Sequence, residues 1–133
     1  MDITSLINEW KSIPKPKGFI ADISSASEAD MELGDVESYF PGKAWSEVDP
    51  EHYDIRYMCP LMWMNESSAK YYALSFLTYL ASDRARNTEY EVPSMAVDYF
   101  EGEFSILPKL SSQQQRFAKE VIRLYKEQDL ENT

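Results

Sequence analysis

NESSAKYYALSFLTYLASDRAR, residues 65–86, decides the fold. Tyr71, Tyr72, Leu74, Phe76, Leu77, Tyr79 and Leu80 spread apolar surface around most of a helical circumference, and a helix that is apolar nearly all round must be buried. Asn65 is suited to cap its start, Pro60 stands before it and the polar run 82–88 comes after it. The segment is too long for an ordinary strand. These features predict a mainly α protein: a compact single-domain helical bundle around a buried central helix over 65–86, with room for one short strand or extended pair.

The flanking sequence supplies elements to pack on that helix. Ile3, Leu6, Ile7 and Trp10 share a face of a short helix over 2–12, ended by Pro14 and Pro16. Ser27, followed by Glu28, Ala29 and Asp30, reads as the start of another short helix that Gly34 ends. Pro41-Gly42 marks a turn, after which Trp45 and Val48 are placed to plug the core. Asp49-Pro50 reads as a cap and first helical residue. Residues 93–100 form a helix ended by Gly102, and 104–107 read as a strand or extended plug. Ser111 with Gln114 is a capping box opening an amphipathic helix over 112–129, with Phe117, Val121, Leu124 and Tyr125 on its apolar face.

A length of 133 residues and a hydrophobic content of 44% suit one domain with a real core. Cys59 is the only cysteine, which excludes an internal disulfide and a multi-cysteine zinc site and fits a reducing compartment. No apolar run approaches the roughly 20 residues of a membrane helix, and the start MDITSLINEWK lacks the apolar core of a signal peptide. The expectation is a cytoplasmic protein that does not bind membranes.

Charge is the informative property. Thirteen bases against 23 acids give a net charge of -10, which opposes nucleic-acid binding and favours a basic protein partner. The acidity is regional. Asp22, Glu28, Asp30, Glu32, Asp35, Glu37, Glu47, Asp49, Glu51 and Asp54 face one base, Lys43, within residues 18–55. A second block, 87–108, holds Glu89, Glu91, Asp98, Glu101 and Glu103 with no base.

EVDPEHYD, residues 47–54, sets four carboxylates around the only histidine, His52. A metal site wants two ligands three or four apart and a second histidine, so acids favoured by a helix start account for the cluster. Sequence neighbours do not share a helix face, and the cluster is expected to disperse. The run from Asp30 fails the calcium-loop register, with Gly34 at position five and Pro41 at position twelve. Cys59 lies among Met58, Pro60, Leu61, Met62, Trp63 and Met64, where burial raises its pKa and removes it as a nucleophile. No phosphate loop, dinucleotide fingerprint or nucleophile elbow occurs. No catalytic residue, metal or cofactor is assigned.

Phe40-x-Gly42-Lys43-x-Trp45, then Trp63-Met64, Tyr71-Tyr72 with Phe76-Leu77, and Leu110-Ser111 with Gln114 resemble an uncharacterised family of small acidic bacterial proteins, a domain of unknown function, over about residues 36–125. The resemblance brings no catalytic residues. In size, acidity and lack of catalytic motif the chain is also similar to bacterial immunity proteins that neutralise toxins delivered by neighbouring cells. That likeness implies an acidic binding module that occludes the active site of a basic toxin, for example a nuclease. Its expected contacts are Asp30, Glu32, Asp35, Glu37, Glu47, Asp49, Glu51, Tyr53 and Asp54, and the acids over 89–103 are a candidate extension of the surface. The alternatives are a small enzyme using carboxylates and His52, or a module that self-associates through tyrosines.

Overall fold

The computed structural model describes residues 8, 10, 39–53 and 59–131, with Tyr53 and residues 128–131 described by backbone alone. Over the described residues 66–131, four α-helices follow one another: α1 (Glu66–Leu80), α2 (Asp83–Asn87), α3 (Val92–Glu101) and α4 (Ser112–Glu131). Short 3-10 turns at Trp45–Glu47, Pro50–Tyr53, Pro60–Trp63 and Leu107–Lys109 connect and pack around them. The protein is mainly helical, and no strand occurs among the described residues. The helix expected over 27–34, and most of the one over 2–12, lie outside the described residues.

α1 is the core element, as its sequence dictates. Tyr72, Ala73, Leu74, Phe76 and Leu77 are fully enclosed, and α1 contacts α2, α3, α4 and the turns at 45–47, 50–53 and 60–63. Asn65 caps it, its side-chain oxygen accepting the Ser68 N–H at 2.9 Å. The helix is shorter than predicted: it stops at Leu80, not at 86. Ser82 is the cause, because its hydroxyl donates back to the Tyr79 carbonyl at 2.5 Å and accepts the Ala85 N–H at 3.3 Å. One serine thereby closes α1 and caps α2, a local side-chain bond that competes with helix continuation.

The predicted capping box is formed at α4. Ser111 N–H donates to Gln114 Oε1 at 2.9 Å, and Gln114 N–H donates to Ser111 Oγ at 3.1 Å. Phe117, Ala118, Val121 and Ile122 then lie buried against α1. Trp10 is fully buried, donates Nε1–H to the Lys70 carbonyl at 2.8 Å and meets Phe117 edge-on at 5.9 Å. Residues 104–107 form no strand: Phe104 is exposed, Ile106 plugs into the core, and Leu107 packs against it as it enters the 3-10 turn Leu107–Lys109. Pro108 in that turn lacks a backbone N–H to give a strand partner.

Phe40, Lys43 and Trp45 are held by Tyr71, Tyr72 and Ser75 of α1 in one clamp. Phe40 to Lys43 make a tight turn, with Lys43 N–H donating to the Phe40 carbonyl at 3.0 Å and Gly42 at φ +84°. Pro41 followed by a positive-φ glycine is the type II arrangement. The Tyr72 hydroxyl lies 2.7 Å from the Lys43 carbonyl and 3.0 Å from the Phe40 carbonyl. One turn along α1, Ser75 donates to the Trp45 carbonyl at 2.7 Å, and Tyr71 accepts the Trp45 N–H at 3.1 Å. Phe40 packs edgewise on Tyr72 at 4.8 Å. Three hydroxyls of one helix thus hold a segment about thirty residues away in sequence.

Candidate protein-binding face

Glu47 turns back on its own 3-10 turn and accepts the Ala44 N–H at 2.8 Å. Asp49 accepts the Glu51 N–H at 3.0 Å, which is the capping role expected before Pro50. Asp49 and Glu51 do not disperse, however. Both converge on Arg84 of α2, whose guanidinium lies 3.0 Å from Asp49 Oδ1 and 2.7 Å from Glu51 Oε1. A four-residue 3-10 turn and a long arginine bring together two acids that an α-helix would separate. Tyr79 donates its hydroxyl to Glu51 Oε2 at 2.7 Å, and the Glu51 side chain is only 9% exposed.

His52 goes elsewhere. Its ring stacks on Tyr39 at 4.1 Å with planes 7° apart. Lys43 Nζ lies 4.5 Å from the centre of the same Tyr39 ring, and the Tyr39 hydroxyl accepts the Asp49 N–H at 2.9 Å. Glu47, Asp49 and Glu51 therefore each have an internal structural task, with Arg84 offsetting one of the two charges it meets. Asp30, Glu32, Asp35, Glu37 and Asp54 lie outside the described residues, and of Tyr53 only the backbone in the 3-10 turn is described.

The second acidic block has a different character. Glu91, Ser94, Asp98 and Glu101 recur at helical spacing and are all exposed, forming the solvent stripe of α3. Met95, Tyr99 and Phe100 beside them are buried. Glu101 pairs with Lys126 at 2.5 Å. Glu89, Glu91, Asp98 and Glu103 make no ion pair among the described residues. Two of the largest exposed apolar side chains flank this helix: Tyr90, 50% exposed, before it and Phe104, 71% exposed, after it.

Between α3 and the 3-10 turn Pro60–Trp63 lies a cavity of about 150 Å³. Cys59, Met62, Met95 and Tyr99 make its apolar wall, and Asp98, Glu103 and Phe104 stand at its edge. Burial pushes the Cys59 thiol up to about 12, which leaves it protonated and unreactive, as its apolar neighbours lead one to expect. Tyr99 holds the loop in place, its hydroxyl accepting the Ile106 N–H at 3.0 Å, and burial raises its pKa. Gly102 also lines the cavity. Its φ is -86°, so it does not end α3 through a left-handed cap; it is required because a Cβ there would stand 2.9 Å from the Asp98 carbonyl.

A second, larger concavity lies between α3 and α4 over Phe100, Leu107 and Ile122. Its cations are mostly spent: Arg123 pairs with Glu120 and Glu127, and Lys126 with Glu101. It carries no charge signature comparable to the face of α3. Among the described residues no three His, Cys, Asp or Glu side chains are grouped to hold a metal ion, and no helix is long and apolar enough to cross a membrane.

Sequence reasoning identifies the acidity of 89–103 but not the cavity beside it, because Met62 and Met95 are 33 positions apart and nothing local couples them. The isolated pair Glu103-Phe104 next to Gly102 is the available signal. Compared with known proteins, the chain matches no family model, no curated protein and no solved structure.

Proposed function

We propose that this chain is an acidic protein-binding module of the immunity or inhibitor kind, which holds a basic toxin domain and covers its active site. One observation carries the reading: over 89–104, carboxylates without an ion pair among the described residues coincide with exposed aromatic side chains on and around α3. Tyrosine and other aromatics dominate interface energetics, and acids of one sign left without a base steer a basic partner. The contact surface accordingly centres on Glu89, Tyr90, Glu91, Asp98, Glu103 and Phe104. Glu47, Asp49 and Glu51 contribute field at its margin while serving the fold. The small acidic bacterial family resembled in Phe40–Trp45 and Tyr71-Tyr72 fits this reading, since the clamp those residues build is structural and imposes no chemistry.

The test is co-expression with the product of the gene adjacent to this one. Growth arrest by that product alone, relieved by this chain and restored by the combined variant E89Q/E91Q/D98N/E103Q, supports the proposal. With the purified pair, association should slow steeply as salt rises while dissociation changes little. A salt-independent association rate, or a harmless neighbouring product, overturns it. His52→Ala separates the enzyme alternative, because a binder keeps its protection without that imidazole.

A further inference from the structure

We infer that the cavity between Pro60–Trp63 and α3 receives one aromatic side chain of the basic partner, borne on a segment whose adjacent lysine or arginine pairs with Asp98 or Glu103. The inference rests on the reading of α3 as a docking face and adds the chemistry of the group docked there.

Size, wall and rim agree on that occupant. A volume of about 150 Å³ matches the engineered apolar cavities known to take up benzene, so it holds one ring and little more. Met62 and Met95 offer thioethers, which adapt to an incoming ring and favour contact with its edge. Phe104, 71% exposed, stands at the mouth where it adds an aromatic partner. At the rim, Asp98 and Glu103 are exposed and form no ion pair among the described residues, and no base occurs from 87 to 108. A ring alone would leave both carboxylates unused, and an anionic ring would be repelled by them. A cation beside the ring satisfies cavity and rim together. The concavity over Phe100, Leu107 and Ile122 lacks this combination, because Arg123 and Lys126 already have carboxylate partners.

Phenethylammonium and phenylacetate are the probes, since they carry the same ring with opposite charge. With methionine methyl groups labelled for NMR, phenethylammonium should shift Met62 and Met95 saturably, and phenylacetate should bind about tenfold or more weakly, the scale set by close carboxylates in water. D98N/E103Q should remove most of that difference, and F104A should weaken the cation without abolishing charge selectivity; all three positions are exposed, so folding is retained. Equal binding of the two probes, or shifts confined to other methionines, overturns the inference. A lysine homopolymer distinguishes it from the reading beneath it. If the homopolymer binds the acidic face while phenethylammonium leaves Met62 and Met95 unmoved, the cavity inference fails alone. If the amine enters the cavity and the neighbouring gene product does not bind, the functional proposal fails alone.

Discussion

Arg84 of α2 holds Glu51 through two of its nitrogens, Nε at 2.9 Å and a terminal nitrogen at 2.7 Å from the same oxygen, Oε1. The bond joins a turn before α1 to the helix after it, 33 positions along the chain. Because Glu51 is nearly buried and Arg84 half exposed, the pair is worth more than a surface salt bridge and less than an enclosed one. Arg84→Ala should cost about 1–3 kcal/mol, mostly the penalty of a carboxylate left with only Tyr79 as donor. Glu51→Gln should cost less, since it keeps a hydrogen-bonding side chain. Urea denaturation of both single variants and of the double variant gives the coupling, and an additive double variant would show that the pair does not interact.

The clamp on α1 predicts a large effect from one oxygen atom. Tyr72→Phe removes the hydroxyl between the Phe40 and Lys43 carbonyls while keeping the ring that packs on Phe40. The Lys43 carbonyl loses the donor 2.7 Å from it, while the Phe40 carbonyl keeps the Lys43 N–H, so the loss should be about 1–3 kcal/mol. Thr78→Val is the comparison: its hydroxyl bonds only within α1, to the Leu74 and Ser75 carbonyls, and its removal should cost less than about 1 kcal/mol. Thermal unfolding that ranks the two in reverse order would refute the clamp.

The two glycines should fail for different reasons. Gly42→Ala forces a Cβ onto a φ of +84° with open space around it, so its cost is backbone strain of about 1–2 kcal/mol. Gly102→Ala meets the Asp98 carbonyl at 2.9 Å with an ordinary φ, so α3 must shift at its end. The second substitution should therefore perturb Met95 and Phe104 resonances beside the cavity, and the first should leave them in place. Identical spectral footprints would contradict this division.

Alkaline pH should destabilise the protein. Burial raises the Cys59 thiol from 9.0 to about 12. Burial also raises Tyr72 from 10.0 to about 12, with repulsion from Tyr71 and Glu47 adding to it. Tyr79 and Tyr99 are raised as well, both chiefly by burial. The unfolded chain loses these protons first, so between pH 9 and 12 the native state binds more protons than the unfolded state and stability falls as pH rises. Below pH 9 the contribution is fully present. Urea midpoints measured from pH 8 upward should decline on that interval, and tyrosinate absorbance should include a fraction that appears only with unfolding. A chain whose tyrosines all ionise as free phenols with its helices intact would sink the prediction.

Much of this architecture is legible in the sequence because it is local. Asn65, Ser111 with Gln114, and Pro41-Gly42 state their roles within three or four residues, and α1 announces burial through its all-round apolar surface. The end of α1 is not legible, because Ser82 reads as one polar residue in a helical tail; the break shows in its two hydrogen bonds, one donated to the Tyr79 carbonyl and one accepted from the Ala85 N–H. The candidate site is half legible. Regional charge is additive along the sequence and survives without coordinates, whereas the partition of acids into engaged and free depends on Arg84, 35 positions from Asp49. The cavity depends on Met62 meeting Met95, a relation set by packing alone.

The stripe of Glu91, Ser94, Asp98 and Glu101 touches the solvent while Met95, Tyr99 and Phe100 on the same helix carry the packing. Packing and exposed negative charge therefore lie on separate columns of one helix, with Glu101 also tied to Lys126 of α4. Replacing Glu91, Ser94 and Asp98 by lysines would leave the packing column in place and turn that face from negative to positive. A helix with that separation can change the charge it presents to solvent without changing the side chains that pack it.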